Sequence, residues 1–241
     1  MSTFADLKIL YHLVCSPIHG QTHAERLDSF YRPQATAYDR FRERLLQHRR
    51  DLYDTLPAPA GGIWVDMGGG TGGNLEYLGD RIHQLSRILV VDLCASLLEV
   101  ARNRIIERGW KNVEAVAGDA TSFQLDGQPA DVVTFSYSLT MIPNWFAAIE
   151  NAWRLLRPGG VIGVVDFYVS QKYPPRGQRR HSWLSRTLWP AWFGADNVHL
   201  GPDRLAYLQW RFRQEELHEC KSTVPYLPGA RVPCFVFIGR K

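Results

Sequence analysis

Asp66-Met67-Gly68-Gly69-Gly70-Thr71-Gly72 follows the short apolar run Ile63-Trp64-Val65 and opens the next segment. Glycines clustered after a strand mark a turn whose backbone takes left-handed angles and comes close to a ligand. Backbone N–H groups at the start of the following helix then face that ligand. Further apolar runs recur downstream. Residues 87–92 end in an acid, 112–117 lead into Gly118-Asp119-Ala120, 131–135 form a fourth run and 161–166 a fifth. Helical stretches at 95–108 and 145–156 lie between them. Strands alternating with helices predict βαβ units and a parallel sheet covered on both faces. Residues 221–226, a Leu227-Pro228-Gly229 turn and residues 232–238 read as a closing hairpin that adds an antiparallel edge.

Upstream of the turn, residues 1–56 lack strand periodicity and read as helices. Phe4, Leu7, Leu10, Tyr11 and Val14 recur at three- and four-residue steps until Pro17 and Gly20 end the pattern. A second helix is expected over 37–56, with Phe41, Leu45, Leu52 and Leu56 on one face. Pro57-Ala58-Pro59-Ala60-Gly61-Gly62 is a linker. The expected architecture is one α/β domain. Residues 1–56 form a helical cap, 63–168 a Rossmann-like core, 170–215 a Pro/Arg/Trp-rich insertion and 216–241 the closing hairpin.

The chain of 241 residues is 45% hydrophobic, enough for one sizeable core. A formal net charge of +4 is too small to imply a nucleic-acid partner. Cys15, Cys94, Cys220 and Cys234 show no CxxC pair and no zinc-ligand spacing, so reduced thiols and no metal are expected. No run reaches the roughly 18 apolar residues of a membrane span. The apolar stretch at 9–15 is broken by His12 and lacks a cationic leader, unlike a signal peptide. A cytoplasmic protein that touches membranes only from outside is expected.

Gly68, Gly70 and Gly73 satisfy GxGxxG, a pattern that alone suits a nicotinamide dinucleotide equally well. Three acids separate the readings. Asp66 precedes the glycines, where it can orient the loop and attract a cationic ligand group. Asp92 ends the second strand, placed to accept two ribose hydroxyls. Asp119 follows the third, where it can accept from an adenine amino group. The set, with Leu156-Arg157-Pro158-Gly159-Gly160, resembles the class I methyltransferases over about residues 63–168. That resemblance implies S-adenosylmethionine as cofactor, S-adenosylhomocysteine as product and a mostly parallel seven-stranded sheet. It implies cofactor contacts from Asp66, Gly68, Gly69, Gly70, Gly72, Asp92, Leu93, Asp119, Ala120 and Ser136. Tyr168 and Lys172 form the YxxxK of short-chain dehydrogenases, but Pro174-Pro175 oppose the helix that pair requires. Ser136-Tyr137-Ser138-Leu139 stands where DNA-amine methyltransferases carry Asn/Asp-Pro-Pro-Tyr.

The flanks carry a narrower resemblance. His23-Ala24-Glu25-Arg26-Leu27, Phe30-Tyr31, Gln34-Ala35, Tyr38-Asp39 and Phe41-Arg42 open the chain. Trp192-Phe193, Asp196-Asn197-Val198-His199-Leu200 and Pro202-Asp203 follow the core. Together they resemble the methyltransferase component of betaine-lipid synthesis. This implies three N-methylations of diacylglyceryl-homoserine to diacylglyceryl-N,N,N-trimethylhomoserine. A separate aminocarboxypropyl transferase would supply the substrate. Phosphatidylethanolamine or a quinone precursor is the alternative substrate. Tyr31, Tyr38 and Tyr137 are candidates for a lid and an aromatic cage around the methylated nitrogen. Arg42, or an arginine of the insertion, could fork onto the substrate carboxylate. Arg176, Arg179 and Arg180, with Trp183 and Trp189, suit an anionic membrane surface.

Overall fold

A computed structural model describes residues 20–32, 44–194, 198–224 and 229–241. The sheet is built from β1 (Ile63–Met67), β2 (Arg87–Asp92), β3 (Val113–Ala117), β4 (Ala130–Ser136), β5 (Leu156–Phe167), β6 (Arg213–Thr223) and β7 (Arg231–Arg240). Its order is β3-β2-β1-β4-β5-β7-β6. The first five strands pair in parallel, whereas β7 runs antiparallel to both β5 and β6. This is a Rossmann-like, seven-stranded, mostly parallel sheet with an antiparallel C-terminal hairpin, as the strand pattern predicts.

The inner strands are continuous apolar runs because helices cover both faces. β1 lies at the centre between β2 and β4, and Trp64, Val65, Asp66 and Met67 are all buried. Trp64 stacks on Tyr53 at 5.6 Å between ring centroids. Large side chains sealed in this way contribute roughly 1.5–3 kcal/mol each. Six α-helices are described: α1 (His23–Tyr31), α2 (Arg49–Thr55), α3 (Ala95–Arg108), α4 (Trp145–Leu155), α5 (Trp183–Gly194) and α6 (Asp203–Arg211). α2 packs on β5, where a Cβ at Gly163 would meet Leu56 at 2.5 Å. The segment after the glycine turn, Gly73–Gln84, is a 3-10 helix kinked at Gly79, not a regular α-helix.

Two boundaries differ from expectation. The helix expected over 37–56 is interrupted at His48, whose φ of 64° is left-handed, and α2 starts only at Arg49. Residues 33–43, with the candidates Tyr38 and Arg42, lie outside the described residues, as does the apolar helix expected at 4–14. β6 begins at Arg213, inside the stretch assigned to the insertion, and ends at Thr223. It is an edge strand rich in charge, so it lacks the apolar run that marks the others. Trp189 was expected at a membrane surface, but it is buried and packs on Phe193 at 6.0 Å. The outward side of α5 instead carries Trp183, Leu184, Leu188 and Trp192. Their spacing makes an apolar stripe that the Arg/Trp composition alone does not reveal.

Candidate functional site

The glycine turn is held from below. Gly68 and Gly69 donate to the Val91 carbonyl at 2.8 and 3.2 Å, which ties the end of β1 to β2. Gly68, Gly70 and Gly72 all have positive φ. At Gly68 a Cβ would also sit 2.5 Å from that of Ser138, so both backbone and space require glycine there. Gly68 and Gly70 line a cavity of about 320 Å³. Gly69 and Gly72 shape the turn without lining it.

Asp92, at the end of β2, is the hinge of the site. One carboxylate oxygen accepts from Gly70 N–H at 2.9 Å and the other from Cys94 N–H at 2.8 Å. The same carboxylate edge lines the cavity beside Leu93 and Leu97. Gly118, Asp119, Ala120 and Thr121 continue the wall beyond β3. Asp119 accepts from Thr121 N–H at 2.8 Å and is exposed toward solvent. The opposite wall is the segment after β4, where Ser138, Met141, Ile142, Pro143 and Asn144 face the cavity. Of the residues expected at the cofactor, Gly68, Gly70, Asp92, Leu93, Asp119 and Ala120 line the cavity, and two others lie away from it. Asp66 lies beneath the turn, and Ser136 is buried outside the cavity lining.

Asp66 is sealed between α2 and β4. One oxygen accepts from the Tyr53 hydroxyl at 2.9 Å and the Thr134 hydroxyl at 2.8 Å, while the other has no hydrogen-bond partner. Burial pushes its carboxyl up to about 6, against the pull of those hydroxyls. Its hydrogen bonds therefore tie the end of β1 to α2 and β4. Asp166, at the end of β5, does the same for the opposite wall. It accepts from Thr140 N–H at 3.0 Å, the Thr140 hydroxyl at 2.8 Å and Phe167 N–H at 2.8 Å. Burial raises it to about 6 as well, opposed by the Arg204 charge.

α1 forms a roof. Its N-terminus is closed by a capping box between Thr22 and Glu25. Leu27 and Tyr31 line the cavity, and the Tyr31 hydroxyl meets Met141 Sδ at 2.9 Å. Asp28 anchors this roof to the start of α3 by accepting from Ser96 N–H at 3.0 Å. Burial pushes the Asp28 carboxyl up, but Ser96 and Arg32 outweigh it and hold the group below its ordinary value. A carboxylate at a helix N-terminus also answers the helix dipole.

Tyr137 lines the cavity in a left-handed conformation, φ 54°, that a bulky residue rarely adopts. Its hydroxyl donates to the Gln47 carbonyl at 2.6 Å, and its ring packs on Phe167 at 4.6 Å. The hydroxyl is thus engaged behind the wall, and only the ring and backbone are offered to the cavity. Tyr53, Thr134, Asp28, Asp166 and the 138–144 wall are not legible as site residues from sequence. They act through contacts distant along the chain, and only Asp166, at a strand end, leaves a local signal.

Arg179, Arg180, Lys221 and Arg231 gather around a second, more open cavity of about 600 Å³, next to Leu184 and Leu188. Arg176 is exposed but does not line it.

The turn, the acid at the end of β2 and the sheet order resemble those of class I S-adenosylmethionine-dependent methyltransferases. The residues fit that cofactor, since Gly68 and Gly70 clear space for it and Asp92 and Asp119 present acceptors. Residues 65–160 match the family described as a methyltransferase domain. The chain is 30% identical over 108 residues to the ubiquinone/menaquinone biosynthesis C-methyltransferase UbiE of Hydrogenovibrio crunogenus, covering 44% of this chain and 42% of that protein. It is 26% identical over 169 residues to UbiE of Pseudomonas savastanoi pv. phaseolicola, covering 68% and 66%. The first of these matches spans less than half of its relative's length. In fold, the chain is similar to phosphoethanolamine N-methyltransferase 2 of Haemonchus contortus in complex with S-adenosyl-L-methionine. The TM-score is 0.69 at 13% identity, over 93% of this chain and 61% of that one.

Proposed function

We propose that this protein transfers methyl groups from S-adenosylmethionine to the amine of a lipid headgroup. Diacylglyceryl-homoserine is the substrate and its trimethylated betaine the product. The observation that carries the reading is the seat of α5. Its outward stripe of Leu184, Leu188 and Trp192 is exposed, while its inward Phe193 packs on Phe167 at 5.3 Å. Phe167 in turn touches Tyr137 of the cavity wall. An apolar stripe suited to acyl chains therefore lies on the outer face of the helix that backs the cavity wall through Phe193 and Phe167. The basic cavity beside it suits anionic headgroups on the cytoplasmic face of a membrane. Among the described residues no helix is long and apolar enough to cross a membrane.

When bound, the cofactor supplies an electrophilic methyl on a sulfonium. Gly68 and Gly70 would hold its amino-acid end, Asp92 the ribose and Asp119 the adenine. The chain's own task is to hold a neutral amine in line with that methyl and to exclude water. Among the described residues no carboxylate stands on the 137–144 wall, which suits a reaction dominated by positioning. The ring faces of Tyr31 and Tyr137 would steady the cation that develops on nitrogen. A separate aminocarboxypropyl transferase would make the substrate, and no nucleic acid takes part.

The competing reading is C-methylation of a quinone precursor, favoured by the activity of the UbiE relatives. Mass spectrometry of vesicles containing diacylglyceryl-homoserine, phosphatidylethanolamine or a prenylated quinol precursor separates them. Mono-, di- and trimethylated homoserine lipid is the expected result. Methylation of the quinol precursor or of phosphatidylethanolamine alone rejects the proposal.

A further inference from the structure

We propose that His48, Cys220 and Cys234 form a binding site for one soft divalent cation, with zinc as the natural occupant. The three come from separate elements. His48 lies in the turn before α2, while Cys220 on β6 is directly opposite Cys234 on β7. One ligand atom from each lies within 4.8 Å of both others. The sequence conceals this set, because strand pairing and not spacing brings the thiols together.

Three features mark a built site. The left-handed backbone at His48, φ 64°, breaks the helix, a conformation that histidine adopts more readily than bulky residues. His48 Nδ1 lies 2.8 Å from the Asp51 carboxylate, which leaves Nε2 as the ligating nitrogen. A carboxylate behind a ligating imidazole fixes its tautomer and raises its basicity. Finally, the turn is already clipped to the hairpin, since Thr223 N–H donates to the Gln47 side chain at 3.2 Å. Cys234 is buried, and Cys220 and His48 are half-buried.

Two thiolates and an imidazole suit zinc, with Zn–S near 2.3 Å and Zn–N near 2.0 Å. Tetrahedral geometry at those lengths sets ligand atoms about 3.5–3.8 Å apart, so closure from at most 4.8 Å requires movement of about 1.3 Å or less. Binding releases both thiol protons to solvent, and a water completes the coordination. The site would couple to the cofactor cavity. The Ser222 hydroxyl donates to Cys234 Sγ at 3.3 Å and lies 3.4 Å from the Tyr137 hydroxyl, which itself donates to the Gln47 carbonyl. A bound cation would therefore pin the turn and the hairpin that together hold Tyr137.

The test is cobalt and zinc titration of the full-length protein, purified under reducing conditions. One equivalent of cobalt should give thiolate-to-metal charge-transfer absorption, and zinc should displace it. Cys234→Ser and His48→Gln should each weaken zinc at least 100-fold in competition with a chromogenic chelator. Asp51→Asn, at an exposed side chain whose change leaves folding intact, should weaken it about 10–100-fold. Cys94→Ala, outside the set, should leave zinc affinity unchanged. Absence of the cobalt band overturns the proposal. So does unchanged zinc affinity in a folded Asp51→Asn protein. A Cys220–Cys234 disulfide in protein alkylated at cell lysis would also overturn it, assigning the pair to redox chemistry.

Discussion

At the scale of single residues, Asp92 and Asp66 show one side chain type in two roles. Asp92 sits half-exposed at the cavity, with Gly70 and Cys94 N–H groups fixing its plane. Asp92→Ala removes the proposed acceptor for the ribose and the anchor of Gly70 N–H. Affinity for S-adenosylhomocysteine should fall by about 1–3 kcal/mol, roughly 5- to 150-fold, in calorimetry. Unchanged affinity would reject the ribose assignment. Asp66, sealed under the turn, binds its proton more tightly folded than unfolded, because burial lifts it from 3.8 to about 6. Stability linked to this group is full below pH 3.8 and declines as pH rises to about 6, by about 3 kcal/mol. His181 runs the other way: burial lowers its imidazole, so its contribution grows as pH rises through the same region. The informative measurement is therefore a difference. Urea unfolding of wild type minus Asp66→Asn should lose about 2.5 kcal/mol between pH 4 and pH 7. A flat difference would mean that Asp66 is charged at no cost, contrary to its burial. The turn glycines and the two cavity-facing acids were legible in sequence because a left-handed turn after a strand restricts residue type. Tyr53, Thr134 and Asp28 were not, because nothing local distinguishes a hydroxyl or acid whose partner lies far along the chain.

At the scale of elements, legibility followed burial. β1, β2, β4 and the C-terminal half of β5 are covered on both faces and read as unbroken apolar runs. β6 is an edge strand carrying Glu215, Glu216, His218 and Glu219, and its beginning passed for insertion. α5 was read for its composition, yet its function depends on which face each tryptophan takes. Trp189→Ala removes a buried ring and should cost about 3–5 kcal/mol in urea unfolding. Leu184→Ser and Leu188→Ser, on the outward face, should each change stability by no more than about 0.5 kcal/mol. Each should weaken binding to liposomes about tenfold, the worth of one leucine moved from lipid to water. If the outward pair unfolded the protein while vesicle binding persisted, α5 would be a core helix and not a docking surface.

At the scale of the whole molecule, the basic cavity and the apolar stripe stand side by side while the net charge is only +4. For the proposed docking on a membrane, attraction would come from local charge and not from the overall field. Arg179 and Arg180 line that cavity with Lys221 and Arg231, whereas Arg176 stands apart. Each basic residue at an anionic surface contributes about 1 kcal/mol, screened within a Debye length of about 8 Å at physiological salt. Reversing Arg179 and Arg180 to Glu should thus weaken vesicle binding by tens-fold or more, and Arg176→Glu by less. Wild-type binding should fall with added salt but level off, because the stripe on α5 is not screened. Turnover on vesicle-borne lipid should fall with binding in the double variant. Turnover on a short-chain, water-soluble homoserine ether should stay close to wild type, since that reaction needs no docking. Equal loss on both substrates would move the two arginines from the membrane to the substrate carboxylate, where a guanidinium fork is the expected partner.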